Sequence, residues 1–311
     1  MRIAIFGAGG VGGFFGACLA RAGEDVGFVA RGEHLQAMAA SGLRIRSPGG
    51  DFTLERVRAT HDASQLAPVD LVILAIKSWQ LPEATPDLAG LLGPETYVLP
   101  LLNGIETSTC LEAALGPGRV LKSLARIVSR ISAPGVITHV GVEPTIVFKE
   151  TDNSISARVR RLHDLLENAG IRAVIPDDID RAMWEKFMFV VAVGGVGAVS
   201  RAPVGVMREV PETRGLLTRV MGEIEDLARA RGINLKEDTV SRAMKFLDAM
   251  PADATASLQR DLAAGRPSEL DAWTGAVVRL GRGSGQPVPY NDCILASLLP
   301  LERRARGEVE F

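Results

Sequence analysis

A chain of 311 residues, 47% of them hydrophobic, can build one large domain or two ordinary ones, each with its own core. With 35 Lys and Arg against 37 Asp and Glu, the net charge of -2 excludes a broad positive field for nucleic acid or anionic lipid. The three cysteines, Cys18, Cys110 and Cys293, stand apart from one another and from the four histidines, so neither a metal site nor a disulfide framework is predicted, and a reducing cytoplasm fits.

Strand-forming residues begin at Met1, leaving no room for a cleavable signal, and the most apolar stretch, residues 187–199, is shorter than the roughly 20 residues of a membrane span. The first half alternates short apolar or β-branched runs with helical patterns: 2–6, 10–22, 26–30, 34–41, 71–76 and 97–101. That rhythm predicts a parallel sheet covered by helices. Runs 127–131 and 136–140, separated by Pro134-Gly135, predict an antiparallel pair closing the sheet. A helix over 154–170, a short strand at 171–175 and the punctuation Pro176-Asp177-Asp178 place a domain boundary there, giving domains 1–176 and 177–311. Beyond it the period is helical, over 180–193, 206–231, 237–250, 254–264, 269–281 and 291–302. The expected architecture is α/β, a mostly parallel sheet followed by an α-helical domain, with the cleft between them.

Gly7-Ala8-Gly9-Gly10-Val11-Gly12 follows the first strand and leads into a helix, the context in which a glycine pattern marks a dinucleotide site. Gly7 permits the tight turn, Gly9 leaves room for a pyrophosphate, Gly12 lets helix and strand approach, and the helix N-terminus offers unpaired N–H groups. After the second strand, where an NAD site places Asp or Glu for the ribose hydroxyls, stands Arg31. Arginine can pair with a 2′-phosphate and stack on adenine, so NADP(H) is the expected cofactor. Lys77 and Asn103 each follow a buried strand at its carboxyl end, where open α/β sheets bind ligands, and are candidates to line the nicotinamide and substrate.

In 180–193 the apolar stripe Met183, Phe187, Val190, Val191 contains Lys186. Its stem can pack on the stripe with the ammonium in water. Alternatively, partial burial makes Lys186 a general acid for a carbonyl oxygen. Ser257, within a helical pattern, and Glu269, after Pro267-Ser268 at a helix start, complete the candidates; Glu269 can equally stabilise the helix dipole, with Ser268 as N-cap.

The order of Gly7–Gly12, Ala30-Arg31-Gly32, Lys77-Ser78-Trp79-Gln80, Asn103-Gly104, Trp184-Glu185-Lys186, Ser257-Leu258-Gln259-Arg260-Asp261 and Glu269 resembles the ketopantoate reductase family, the NADPH-dependent 2-dehydropantoate 2-reductases, over almost the whole chain. The resemblance implies a Rossmann-type domain, a helical second domain and reduction of ketopantoate to pantoate, in pantothenate biosynthesis. It implies that Lys186 donates the proton, Glu269 organises substrate and lysine, Ser257 binds the substrate's polar groups, and Lys77 and Asn103 line the cofactor and substrate cleft. The implied partner is a small 2-oxo acid, with neither nucleic acid nor membrane, and a homodimer is compatible. Three positions depart: Val190, Gly194 and Val204 stand where family members usually carry asparagines. Losing three amides, each worth about 1–3 kcal/mol to a buried polar substrate, can change which acid is preferred. A reductase of a less polar 2-oxo acid and a catalytically silent NADP(H)-binding sensor are the competing readings.

Overall fold

The computed structural model describes residues Met1–Phe311. Strands β1 (Arg2–Phe6), β2 (Asp25–Val29), β3 (Leu43–Arg46), β4 (Phe52–Leu54), β5 (Arg58–Thr60), β6 (Val69–Leu74), β7 (Leu92–Pro100), β8 (Leu121–Ala133), β9 (Val136–Glu150) and β10 (Arg172–Val174) are interleaved with α1 (Gly10–Arg21), α2 (Gly32–Ser41), α3 (Leu81–Leu91), α4 (Thr107–Leu115) and α5 (Ala157–Asn168). The chain divides into two compact units: Met1–Leu102 with Thr107–Ile179, and Asn103–Glu106 with Asp180–Phe311.

In the first unit, β5-β2-β1-β6-β7 form an all-parallel five-stranded sheet, in sequence the order 3-2-1-4-5 of a doubly wound dinucleotide fold. Both faces are covered, which is why the strands read as continuous apolar runs. Ile3, Ile5, Phe28, Leu71 and Ile73 face a core that includes Phe15 and Leu19 of α1, while Ala4, Phe6, Val29, Val72 and Leu74 face one that includes Leu88 and Leu111. Cys18 lies in the first core, where burial pushes its thiol up to about 11.

The antiparallel pair is present as β8 and β9, but it does not close that sheet. It belongs to a second, mixed sheet, β10-β9-β3-β4, with β8 on β9. The 15-residue β9 pairs with β8 along most of its length and with β3 and β10 at separate registers.

The second unit is helical: α6 (Ile179–Ser200), α7 (Val204–Glu209), α8 (Pro211–Ala230), α9 (Thr239–Asp248), α10 (Ser257–Ala263), α11 (Ala276–Ser284) and α12 (Pro289–Ala305). Pro211 divides the expected helix 206–231, because its ring fits only a first turn. A π-helical turn, Asp271–Gly275, precedes α11. The expected helix 180–193 runs on to Ser200, through three glycines. Each seats a neighbour: a Cβ at Gly194 would lie 2.8 Å from Trp273 Cζ3, at Gly195 2.9 Å from Ile294 Cγ2, and at Gly197 2.8 Å from Gln259 Oε1. At 22 residues α6 has the length and composition of a membrane span, yet 61% of its apolar window is buried inside the protein, as befits a core helix.

Candidate active site

The glycine turn connects β1 to α1. Gly7 has φ +102°, and its N–H and that of Ala8 donate to the Val29 carbonyl at 3.2 and 3.0 Å. A Cβ on Gly7 would lie 2.7 Å from the Ala75 carbonyl oxygen, one on Gly10 2.5 Å from that of Ser129, and one on Gly12 would be driven into that of Gly7. At Gly9 a Cβ meets nothing within 4 Å, and Gly9 caps α1 with no side chain bonded to the helix terminus. First-turn N–H groups have no intrahelical acceptor. With the space over Gly9, such N–H groups can take an anion. Gly12→Ala is expected to cost about 1–3 kcal/mol or more by overpacking. Gly9→Ala should leave the melting temperature within about 2 °C while weakening the binding of a pyridine dinucleotide at least about tenfold. Thermal melts and fluorescence titration check the pair.

Arg31 ends the β2 connection as the N-cap of α2, exposed, and its guanidinium pairs with none of the chain's carboxylates. One turn on, half-buried His34 accepts the Gly135 N–H at Nδ1, 3.1 Å away, joining α2 to the β8–β9 turn. This leaves the proton of the neutral ring on Nε2. Burial holds the imidazole below its ordinary value of 6.5, partly opposed by the Ala8 carbonyl. Because the folded state binds the proton less readily than the unfolded chain, His34 contributes its stability above pH 6.5 and loses it as the pH falls below that value. His34→Asn, which keeps an acceptor but cannot titrate, should therefore lose less melting temperature than the parent between pH 7 and pH 5.5; equal losses would exclude His34 as a source of acid sensitivity.

Lys77 follows β6 two residues after Ala75, whose carbonyl abuts Gly7, so it stands beside the glycine turn. Its backbone N–H donates to Gln80 Oε1 at 3.0 Å.

Asn103 is carried into the second unit by its neighbours. Ile105 packs on the helical core and Glu106 pairs with Arg279 at 2.8 Å, while Gly104, at φ +118°, turns the chain. Lys186 Nζ on α6 donates to Asn103 Oδ1 at 3.0 Å, and Asn103 Nδ2 donates to Glu269 Oε2 at 3.3 Å. One amide thus bridges a cation and an anion, and only this orientation satisfies both, since an ammonium can only donate and a carboxylate only accept. Lys186 and Asn103 are half-buried, and Glu269 is 5% exposed. A pre-oriented ammonium in such a setting can give a proton to an oxygen that becomes negative.

Ser257 is outside this chain of bonds. It is the half-buried first residue of α10, and its neighbour Leu258 packs on Gly194. Val190 is half-buried one turn beyond Lys186, Trp273 fills the space over Gly194, and the Val204 side chain lies wholly in the core. Ser268 accepts the Leu270 N–H at 3.2 Å, as a cap would, but its hydroxyl also donates to Glu302 at 2.5 Å. No periodicity or motif marks Glu302, and a pairing across 34 residues leaves no local trace.

The family model described as Ketopantoate reductase PanE/ApbA matches residues 3–153, and its C-terminal counterpart residues 178–302. The chain belongs to the ketopantoate reductase family. A 2-dehydropantoate 2-reductase of Mesorhizobium japonicum is 33% identical over 95% of this chain and 96% of its own. The crystal structure of a PanE/ApbA family ketopantoate reductase from Ralstonia eutropha JMP134 superposes with a TM-score of 0.91 at 30% identity, covering 98% of this chain and 100% of that one. The 2-dehydropantoate 2-reductase of Geobacter metallireducens GS-15 gives 0.91 at 29% identity, over 96% and 99%. This ketopantoate reductase family member is therefore a pyridine-nucleotide-dependent oxidoreductase of the 2-dehydropantoate 2-reductase type, with the α/β and helical parts that the sequence predicts.

Proposed function

We propose that the protein reduces a 2-oxo acid to the 2-hydroxy acid with NADPH, Lys186 acting as general acid, and that ketopantoate is its first substrate. The observation that carries the reading is the Lys186–Asn103–Glu269 chain, a cation whose position is fixed by a neutral amide anchored on a buried carboxylate. Residues 1–176 would hold the cofactor: Gly7, Ala8, Gly9, Gly10, Val11 and Gly12 around the pyrophosphate, Arg31 on the 2′-phosphate and Lys77 beside the turn. The space over Gly9 and the uncapped start of α1 fit such a group. NADPH, when bound, supplies a hydride. Residues 177–311 carry the proton donor: as the carbonyl carbon gains the hydride, its oxygen takes a proton from Nζ, and Lys186 regains one from solvent. Asn103 holds Nζ in line, Glu269 balances its charge, and Ser257 supplies a hydroxyl for the acid's polar groups.

A less polar 2-oxo acid is the second reading, supported by Val190, by Trp273 over Gly194 and by the inward Val204 side chain. Steady-state oxidation of NADPH with ketopantoate and 2-oxoisovalerate separates the two by kcat/KM. Turnover of neither would overturn both and leave a silent NADP(H) binder. We also propose a cytoplasmic enzyme that binds neither nucleic acid nor membrane, consistent with its net charge of -2. A homodimer accords with the same reading.

A further inference from the structure

We propose that Glu302, paired with Arg306, is a positioning residue that sets the Lys186 ammonium through Ser268, Glu269 and Asn103. The inference rests on the reading of Lys186 as proton donor. Glu302 lies on α12, far from Glu269 in sequence, and is 3% exposed. A carboxylate is costly to bury unless its oxygens are satisfied. Here both oxygens accept the Ser268 N–H, at 3.2 and 3.1 Å, Oε2 also accepts the Ser268 hydroxyl at 2.5 Å, and Oε1 meets the Arg306 guanidinium at 2.6 Å.

The three bonds to Ser268 fix the residue that precedes Glu269. Ser268 is 1% exposed, and its Oγ accepts the Leu270 N–H at 3.2 Å, so the Pro267–Ser268 peptide is bonded to the carboxylate directly and the Glu269–Leu270 peptide through the Ser268 hydroxyl. The Glu269 carbonyl accepts the Trp273 N–H at 3.0 Å, fixing the other side of the turn. From that immobilised backbone the Glu269 side chain reaches Asn103 at 3.3 Å, near the long limit of a hydrogen bond. A shift of a few tenths of an ångström at Ser268 breaks it. The amide of Asn103 then loses its hold on Glu269, and its Oδ1, which accepts from the Lys186 ammonium, is less firmly placed.

The test is Glu302→Gln in the full-length enzyme, alone and with Glu269→Gln. Expected are a kcat at least about tenfold lower with the KM for NADPH within about twofold, and a loss that nearly disappears when Glu269 is already glutamine, because both act through one path. A second readout needs no turnover: the rate at which an amine-acylating reagent modifies Lys186, followed by peptide mass spectrometry, should change at least about threefold. If Glu302→Gln does not fold, Ser268→Ala, which deletes one hydroxyl, carries the same expectations. Folded variants with unchanged kcat and unchanged Lys186 acylation overturn the proposal, as do losses that add fully to that of Glu269→Gln. A parent enzyme that reduces no 2-oxo acid while Lys186 acylation still responds to Glu302→Gln defeats the functional reading and leaves the positioning intact.

Discussion

Lys186→Ala is expected to lower kcat by about 10²–10⁴, the usual contribution of a positioned general acid, while NADPH binding stays within about twofold. The separation follows from the structure: Nζ bonds Asn103 in the helical unit, whereas the glycine turn and Arg31 lie in the sheet unit. Small primary amines added to the variant should restore part of the rate if the missing function is a proton, and Lys186→Arg should not, because guanidinium does not release its proton near neutral pH. Stopped-flow oxidation of NADPH at saturating 2-oxo acid measures the chemical step directly. A rate within about threefold of the parent would remove Lys186 from the mechanism.

On the proposed NADPH reading, Arg31→Ala should lower the preference for NADPH over NADH. A guanidinium bonded to a 2′-phosphate contributes about 1.5–3 kcal/mol, so NADPH affinity should fall roughly 10- to 150-fold while NADH, which lacks that phosphate, changes little. Because Arg31 is exposed and pairs with no carboxylate of the chain, its removal should leave the melting temperature nearly unchanged. Titration with both nucleotides decides: an intact NADPH preference assigns the selectivity elsewhere on the β2 connection.

Much of this protein is legible locally. The alternation of buried strands and helices, the glycine turn and the helical second half are written in short-range periodicity and turn chemistry, and the structure places them within a few residues of expectation. The second sheet is not legible in this way. Two of its members, β3 and β4, have only four and three residues, too few for a pattern; the short strand expected at 171–175 is β10, but its pairing with β9 is not readable from the sequence, because β9 acquires its partners by contacts remote in sequence. Gly194, Gly195 and Gly197 read as a helix end because glycine is a poor helix former; packing against Trp273, Ile294 and Gln259 overrides that preference.

The site divides along the same line. Sequence alone determined that a strand, a glycine turn and a helix begin the chain, that Arg31 follows the second strand, and that Lys186 interrupts an apolar stripe, since each is a statement about neighbours along the backbone. Whether that lysine merely snorkels or has a partner was decided by tertiary structure, which brings Asn103, Lys186 and Glu269 together across more than 160 residues. The same long-range closure set Glu302 beneath Glu269 and filled the place over Gly194 with an indole. Hydrogen bonds and packing between distant segments carry no period, so only the folded chain reveals them.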